Sequence, residues 1–441
     1  MKNIIKKLES QILIFDGSKG VMLKRMGLEA GKCEESWNIE HPEKLRELYT
    51  MYKEAGADVI QTNTFQANSL KMAEYGLEDK VHEINVNAAK IAKEVMGDDG
   101  YVAGDIGPIG KLYEPFGEMT FKQAFAVYKE QVKSLVEGGV DVINFETFID
   151  LEDMKVAVSA CNDVCDLPII ASMSFEQGGR TMMGTTPEIC SYVLKGLGVE
   201  IIGTNCSFGP EPMLEIIDKY METKPGNVCA KPNAGLPEMV GDEAVYNQTP
   251  EVFASFGEKF VEKGVRLIGG CCGSTPEHIR ALADKLKGTK GVEPEFLPKQ
   301  VITSFWDVLD VATKEKVELL KIDCETDTIA YNSIKENNID YLVNKTLDSF
   351  PEDFDAMYIN IDKAERGDFV LRDLVIELQN QQVRIPFIFE TSSMTALASV
   401  LKVCKGRPGV ILDRLPVAKI ERGIEIVKKC GGTLVGVSVL D

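Results

Sequence analysis

The sequence predicts an α/β protein: a (β/α)8 TIM barrel over residues 1–290, then a smaller α/β module, shaped like half a barrel, over residues 300–441. Three observations predict the barrel. Eight short, β-branched apolar runs recur in the first 290 residues, the chain between them is mostly amphipathic, and a polar residue follows each run. Runs without alternation suit strands buried on both faces, as parallel strands are. Eight strand–helix units of this kind specify a barrel with its site at the C-terminal strand ends.

The runs occupy residues 12–15, 59–61, 101–103, 140–143, 168–171, 200–202, 227–230 and 266–268. Between them, residues 43–55 place Leu45, Leu48, Tyr49 and Tyr52 at helical spacing. Residues 81–95 repeat this with Ile84, Ala88, Ile91 and Val95, and residues 121–136 with Phe125, Tyr128, Val132 and Leu135. Each set makes one apolar stripe, the face a helix buries against a sheet.

Bulk composition narrows the function. A net charge of −20 disfavours nucleic acid and anionic membrane surfaces, which need clustered Lys and Arg. No stretch approaches the ~18 apolar residues of a spanning helix, and the first residues interleave charges rather than form a secretion signal. Eleven cysteines in such a chain read as reduced thiols, some of them metal ligands, and the cytoplasm is the expected location.

The residues just after the runs are Asp16-Gly17, Thr62-Asn63-Thr64, Gly104-Asp105, Glu146-Thr147, Ser172 with Ser174, Asn205-Cys206, Pro232-Asn233 and Cys271-Cys272. One Gly, Asn or Asp after a strand is ordinary turn chemistry; eight polar strand ends together describe a site. Its centre is Gly269-Gly270-Cys271-Cys272-Gly273-Ser274. Adjacent cysteines at a strand-to-loop switch are poor packing material, whereas Cys161, Cys165, Cys190 and Cys404 read as small core hydrophobes. Cys206, Cys271 and Cys272 at equivalent strand ends suggest a three-thiolate zinc site with one position open, the pattern of a catalytic zinc. His41, His82 and His278 all lie off the strand ends, which argues against a histidine-based site.

The segments Phe15-Asp16-Gly17-Ser18-Lys19-Gly20, Gln61-Thr62-Asn63-Thr64-Phe65, Gly104-Asp105-Ile106-Gly107-Pro108, Phe145-Glu146-Thr147, Gly203-Thr204-Asn205-Cys206 and Gly269-Gly270-Cys271-Cys272-Gly273 resemble the homocysteine S-methyltransferase family over about residues 10–288. Within it, the likeness is nearest to the homocysteine-binding modules of cobalamin-dependent methionine synthases. The resemblance implies that Cys206, Cys271 and Cys272 bind Zn2+ and carry catalysis. It also implies that Asp16 and Glu146 lie near the substrate ammonium, and that Gly17, Asn63, Thr64, Phe65, Asp105 and Asn205 shape the homocysteine pocket. Asn233 is a further expected ligand, its amide oxygen filling the open zinc position before substrate arrives.

Residues 288–294 have linker composition. Beyond them, strand-like runs at 317–322, 356–361, 386–389, 409–412 and 433–439 alternate with helical segments at 371–379, 394–404 and 417–429. This tail faintly resembles the first half of the folate-binding barrel of methionine synthases, but its first strand is followed by Lys321-Ile322-Asp323-Cys324-Glu325-Thr326, not that family's loop. A docking role is expected, with the open apolar face covered by the first barrel or by a second copy in a homodimer. The function expected is methylation of homocysteine to methionine, the methyl group arriving on a separate methyl-corrinoid protein. The alternatives are direct transfer from an onium donor such as a betaine or S-methylmethionine, with Phe116, Phe148 and Phe208 as cage aromatics, or a non-catalytic homocysteine-binding subunit.

Overall fold

In a computed structural model, strands and helices alternate through the barrel region. The structure describes every residue except 1–2, 115–116, 241–242, 297–299, 364–366 and 441. The chain divides into two compact units, residues 1–187 with 199–296, and residues 188–198 with 297–441.

The first unit contains β1 (Leu13–Ile14), β2 (Val59–Gln61), β3 (Tyr101–Ile106), β4 (Val142–Phe148), β5 (Ile169–Met173), β6 (Ile201–Asn205) and β7 (Asn227–Lys231). An antiparallel hairpin, β8 (Pro237–Val240) with β9 (Glu243–Tyr246), interrupts the alternation before β10 (Leu267–Ile268). The eight parallel strands order as β1-β10-β7-β6-β5-β4-β3-β2. A parallel bridge between Phe15 and Val59 joins the two ends, so the sheet closes into the expected barrel.

Closure gives each strand one inward face. Leu13, Val59, Ala103, Val142, Ile170, Ile201, Cys229 and Leu267, one from each strand, form a single buried cluster. Ile4 and Leu8 of the helix Ile4–Leu8 join it. Side chains on a strand alternate faces, so the residues two positions further along also point inward. Those include Gln61, Asp105, Asn144, Ser172 and Lys231, all buried. The barrel interior therefore changes from apolar to polar within one strand step, which fixes where the chemistry sits.

Helix ends match their sequence signals. Thr120 and Gln123 make a reciprocal capping box on the helix Phe121–Gly138, which ends on Gly139 at φ 91°. Among the described residues, no helix is long and apolar enough to cross a membrane.

The second unit contains a hairpin, β11 (Val301–Thr303) with β12 (Val308–Asp310), and five parallel strands: β13 (Leu319–Asp323), β14 (Ala356–Asn360), β15 (Phe387–Glu390), β16 (Gly409–Ile411) and β17 (Thr433–Leu434). They pair in chain order. One face packs on the helices Thr328–Lys335, Ile339–Asp348, Gly367–Asn380, Met394–Val403 and Val417–Cys430 through a core that includes Leu374, Phe389 and Leu397. On the other face Tyr358, Ile388 and Ile411 pack on Ile302 and Leu309. The expected open face is thus covered by the unit's own hairpin β11–β12, not left for another surface. This short hairpin lacked the alternation that reveals a strand.

Candidate metal centre and substrate pocket

Cys206 follows β6, and Cys271 and Cys272 follow β10. The turn is set by backbone bonds: Cys271 N–H donates to Pro232 O at 2.8 Å, and Cys206 N–H to Lys231 O at 3.1 Å. Ser274 Oγ donates back to Cys271 O at 2.6 Å. Gly273 sits at φ +79°, and a Cβ there would lie 2.3 Å from Tyr246 Cβ, so only glycine fits. Cys206, Ser207 and Thr147 hold φ values of 61–63°, left-handed backbone that costs non-glycine residues energy and gathers at functional sites.

The three sulfurs lie within 4.8 Å of one another, with Cys206 Sγ and Cys272 Sγ 3.8 Å apart. Tetrahedral zinc with Zn–S bonds near 2.3 Å separates its sulfurs by ~3.8 Å, so the donor set fits. For Cys206, the hydrogen bond with Cys271 lowers the pKa while Cys272 and burial raise it, to a net value of about 11. Three such thiols ionise together only when a cation gathers them. Two neighbours tune the set: Asn205 Nδ2 donates to Cys271 Sγ at 3.6 Å, and the Tyr246 hydroxyl bonds Cys272.

The thiols open into a cavity of about 510 Å3 that Gly17, Asn63, Thr64, Phe65, Asp105 and Glu146 also line. That is ample for one amino acid with a second reactant, since small-molecule sites span ~300–1,000 Å3. Residues 18–35 supply one wall, including Lys19, Lys24 and Glu34, a segment that strand-end logic does not flag.

The acids occupy three environments. Glu146 Oε2 pairs with buried Lys231 Nζ and accepts from Asn144 Nδ2 at 3.0 Å. Burial works to raise its pKa, but Lys231 outweighs burial and holds Glu146 below the ordinary carboxylate range. Asp105 accepts from Asn144 Nδ2 at 2.7 Å, and burial, then Glu146, push its pKa well up. Asp16 is pushed up to about 6 by burial, against the pull of Lys19 and Lys231. Its Oδ2 accepts from Gln61 N–H at 3.1 Å, while Oδ1 is buried without a partner.

Other expected pocket residues are engaged by protein groups. Asn63 Nδ2 donates to Glu34 O and Asn38 Oδ1, and Thr64 Oγ1 to Asp105 O at 2.7 Å. Asn205 Oδ1 accepts from Thr147 N–H at 2.8 Å. Asn233 Oδ1 accepts from Cys272 N–H at 3.1 Å. Phe148 is fully buried against Phe145 and Tyr128, Phe208 is also buried, and Phe116 lies outside the described residues.

The strand-end reading missed Lys231, Gln61 and Tyr246. Lys231 had a signal, a lysine two residues beyond a core-facing cysteine on the same strand, and Gln61 stands in the same relation to Val59.

A family model described as homocysteine S-methyltransferase matches residues 13–286. Among solved structures, the metallated form of the homocysteine methyltransferase MmuM from Escherichia coli is 22% identical, covers 64% of this chain and 100% of that chain, and superposes with a TM-score of 0.55. The oxidized form of the same enzyme is 22% identical, covers 62% of this chain and 96% of that chain, with a TM-score of 0.53. At these identities the likeness is one of fold.

Proposed function

Because this chain belongs to the homocysteine S-methyltransferase family, we propose that it is a zinc-dependent enzyme that methylates homocysteine to methionine, with the methyl group supplied by a separate methyl-corrinoid protein. One observation carries the zinc assignment: three cysteine sulfurs gathered within 4.8 Å at the mouth of the barrel. In this reading residues 1–290 carry the reaction and residues 300–441 form a separate module, whose second sheet face is taken by its own hairpin rather than offered to another copy. A thiolate centre requires a reducing compartment, so we place the enzyme in the cytoplasm.

Cys206, Cys271 and Cys272 would hold the ion, and all three line the cavity. Zinc held there would supply a cation that lowers the pKa of a substrate thiol from an ordinary value near 8.5. Glu146, kept ionised by Lys231, takes the substrate α-ammonium, and Asp105 stands beside it through the shared amide of Asn144. Fixing the head group aims the sulfur. Asn205 and Thr147, bonded to each other twice, keep the Cys271 loop rigid. Phe65 packs edge-close to Gly107 and walls the cavity. Phe148 and Phe208 are committed to packing, so neither is free to serve an onium cage.

The test is zinc content with a donor panel. Purified protein should carry close to one zinc per chain and methylate homocysteine from methylcobalamin, with S-methylmethionine and betaine at least about tenfold poorer. Cys271→Ala should fold, lose the zinc and lose turnover by more than about a hundredfold. Zinc-free protein that still turns over overturns the metal assignment. Preference for an onium donor overturns the corrinoid assignment alone.

A further inference from the structure

We propose that Lys231 is a positioning residue that sets the head-group selectivity of the pocket, by fixing which polar faces Glu146 and Gln61 turn to the substrate. The inference rests on homocysteine being the substrate of this cavity, and it assigns a role to a residue that holds no metal and does not line the cavity.

Lys231 is 1% exposed and lies on the inward face of β7, two residues past Cys229 in the apolar layer. A buried ammonium costs several kcal/mol unless it is paired and fully hydrogen-bonded. Here its partners are the Glu146 carboxylate, Gln61 Oε1 at 2.8 Å and the face of Phe15, with Nζ 4.3 Å from the ring centroid. These partners are specific, and they make Lys231 part of the floor rather than filling.

An ammonium can only donate. Gln61 must therefore turn its amide oxygen toward Lys231 and its NH2 group away, and among the described residues that NH2 has no protein partner. Glu146 is likewise held through Oε2 alone, leaving Oε1 to accept. Gln61 and Glu146 both line the cavity, whereas Lys231 stands behind them. One buried lysine thus gives the floor an acceptor beside a donor, the complement of an α-ammonium beside an α-carboxylate.

The pairing points the same way. Glu146 is the carboxylate that Lys231 meets directly; without Lys231 it would lose that partner, and Gln61 would be free to flip.

Binding of thiols to the zinc-loaded chain, measured by calorimetry, tests this without a methyl donor. The probes are homocysteine, its deamino analogue γ-mercaptobutanoate and its decarboxy analogue aminopropanethiol. Wild type should prefer homocysteine over both analogues. Lys231→Met should keep its zinc and bind homocysteine about 10–100-fold more weakly, a larger loss than for γ-mercaptobutanoate or aminopropanethiol, each of which uses only one of the two faces. Lys231→Arg should restore part of the loss. Equal weakening of all three thiols marks a merely structural role and overturns the proposal, as does unchanged homocysteine affinity in folded Lys231→Met. Should Lys231→Met not fold, Gln61→Met carries the test: homocysteine should bind about tenfold more weakly with aminopropanethiol unaffected, and an equal loss for both overturns the proposal. Wild-type protein that binds all three thiols alike also overturns it while sparing the zinc reading; wild-type protein that binds none overturns the substrate reading itself.

Discussion

The two units of this chain use the same material, parallel strands alternating with helices, and reach opposite ends. In the first, closure brings eight strand ends around one mouth, and their polar side chains meet across a cavity of about 510 Å3. In the second, five strands lie in a row. Their end groups satisfy one another: Tyr358 Oη donates to Glu390 Oε2 at 2.6 Å, Arg414 reaches the same carboxylate at 3.4 Å, and Asn360 Oδ1 accepts from Asp362 N–H at 3.0 Å. The difference teaches that polar strand ends become a site only when geometry makes them converge and leaves some of their bonding capacity unspent. Asp16 Oδ1 and the NH2 group of Gln61 are unspent; the Tyr358–Glu390 pair is not.

The contrast can be broken in three ways. The largest effect is expected from Phe389→Ala, which empties a fully buried site in the second unit's core. It should lower stability by about 3–5 kcal/mol in chemical denaturation and leave homocysteine affinity within twofold. A substantial loss of affinity would mean that the open sheet contributes to the site after all.

The next concerns Asp153, a buried carboxyl in the helix Leu151–Val164 that accepts from Tyr113 Oη at 2.6 Å and Tyr128 Oη at 2.8 Å. Burial pushes it up to about 6 against the pull of both tyrosines. Its ionised form is penalised in the fold, so its stabilising contribution is complete below the unfolded value near 3.8 and is lost as pH rises to about 6. Asp153→Asn removes that loss. Between about pH 4 and pH 6.5, the difference in unfolding free energy should move in the variant's favour by up to about 3 kcal/mol, and parallel curves would refute the assignment. Asp16, at a strand end of the same unit, shares the direction of shift and its cause in burial.

The smallest is Tyr358→Phe, which leaves the buried Glu390 without its hydroxyl partner. A cost of about 1–2 kcal/mol with unchanged methylation is expected, as befits a strand-end pair that serves structure alone.

Much of this was legible in the sequence. Eight β-branched runs announced the strands, and the Cys-Cys pair announced the thiol cluster, because both are local signals. The polar layer inside the barrel was harder to read. Lys231 ends an apolar run and looks like an exit to solvent; only closure of the sheet turns it inward beside Glu146. Asn63, Asn205 and Asn233 were correctly placed at strand ends, yet each is bonded to backbone of its own loop or a neighbouring one, as buried polar groups usually are. The hairpin β8–β9, which brings Tyr246 to Cys272, has a charged sequence with little strand character. Its position follows from tertiary contacts that no local pattern records.

Closure also sets a clock on synthesis. Ser18 bonds Ser274 across 256 residues of chain, and β1 finds its neighbour β10 only when the last barrel strand has left the ribosome. At ~5–20 residues per second, the nascent first strand waits roughly 10–50 s for that partner. Throughout that interval its apolar faces lack their final cover, and Cys206 awaits its two companions. The three-sulfur cluster therefore forms only once β10 and the cysteines after it have emerged, so the last barrel strand is made before any ion could be held by all three sulfurs.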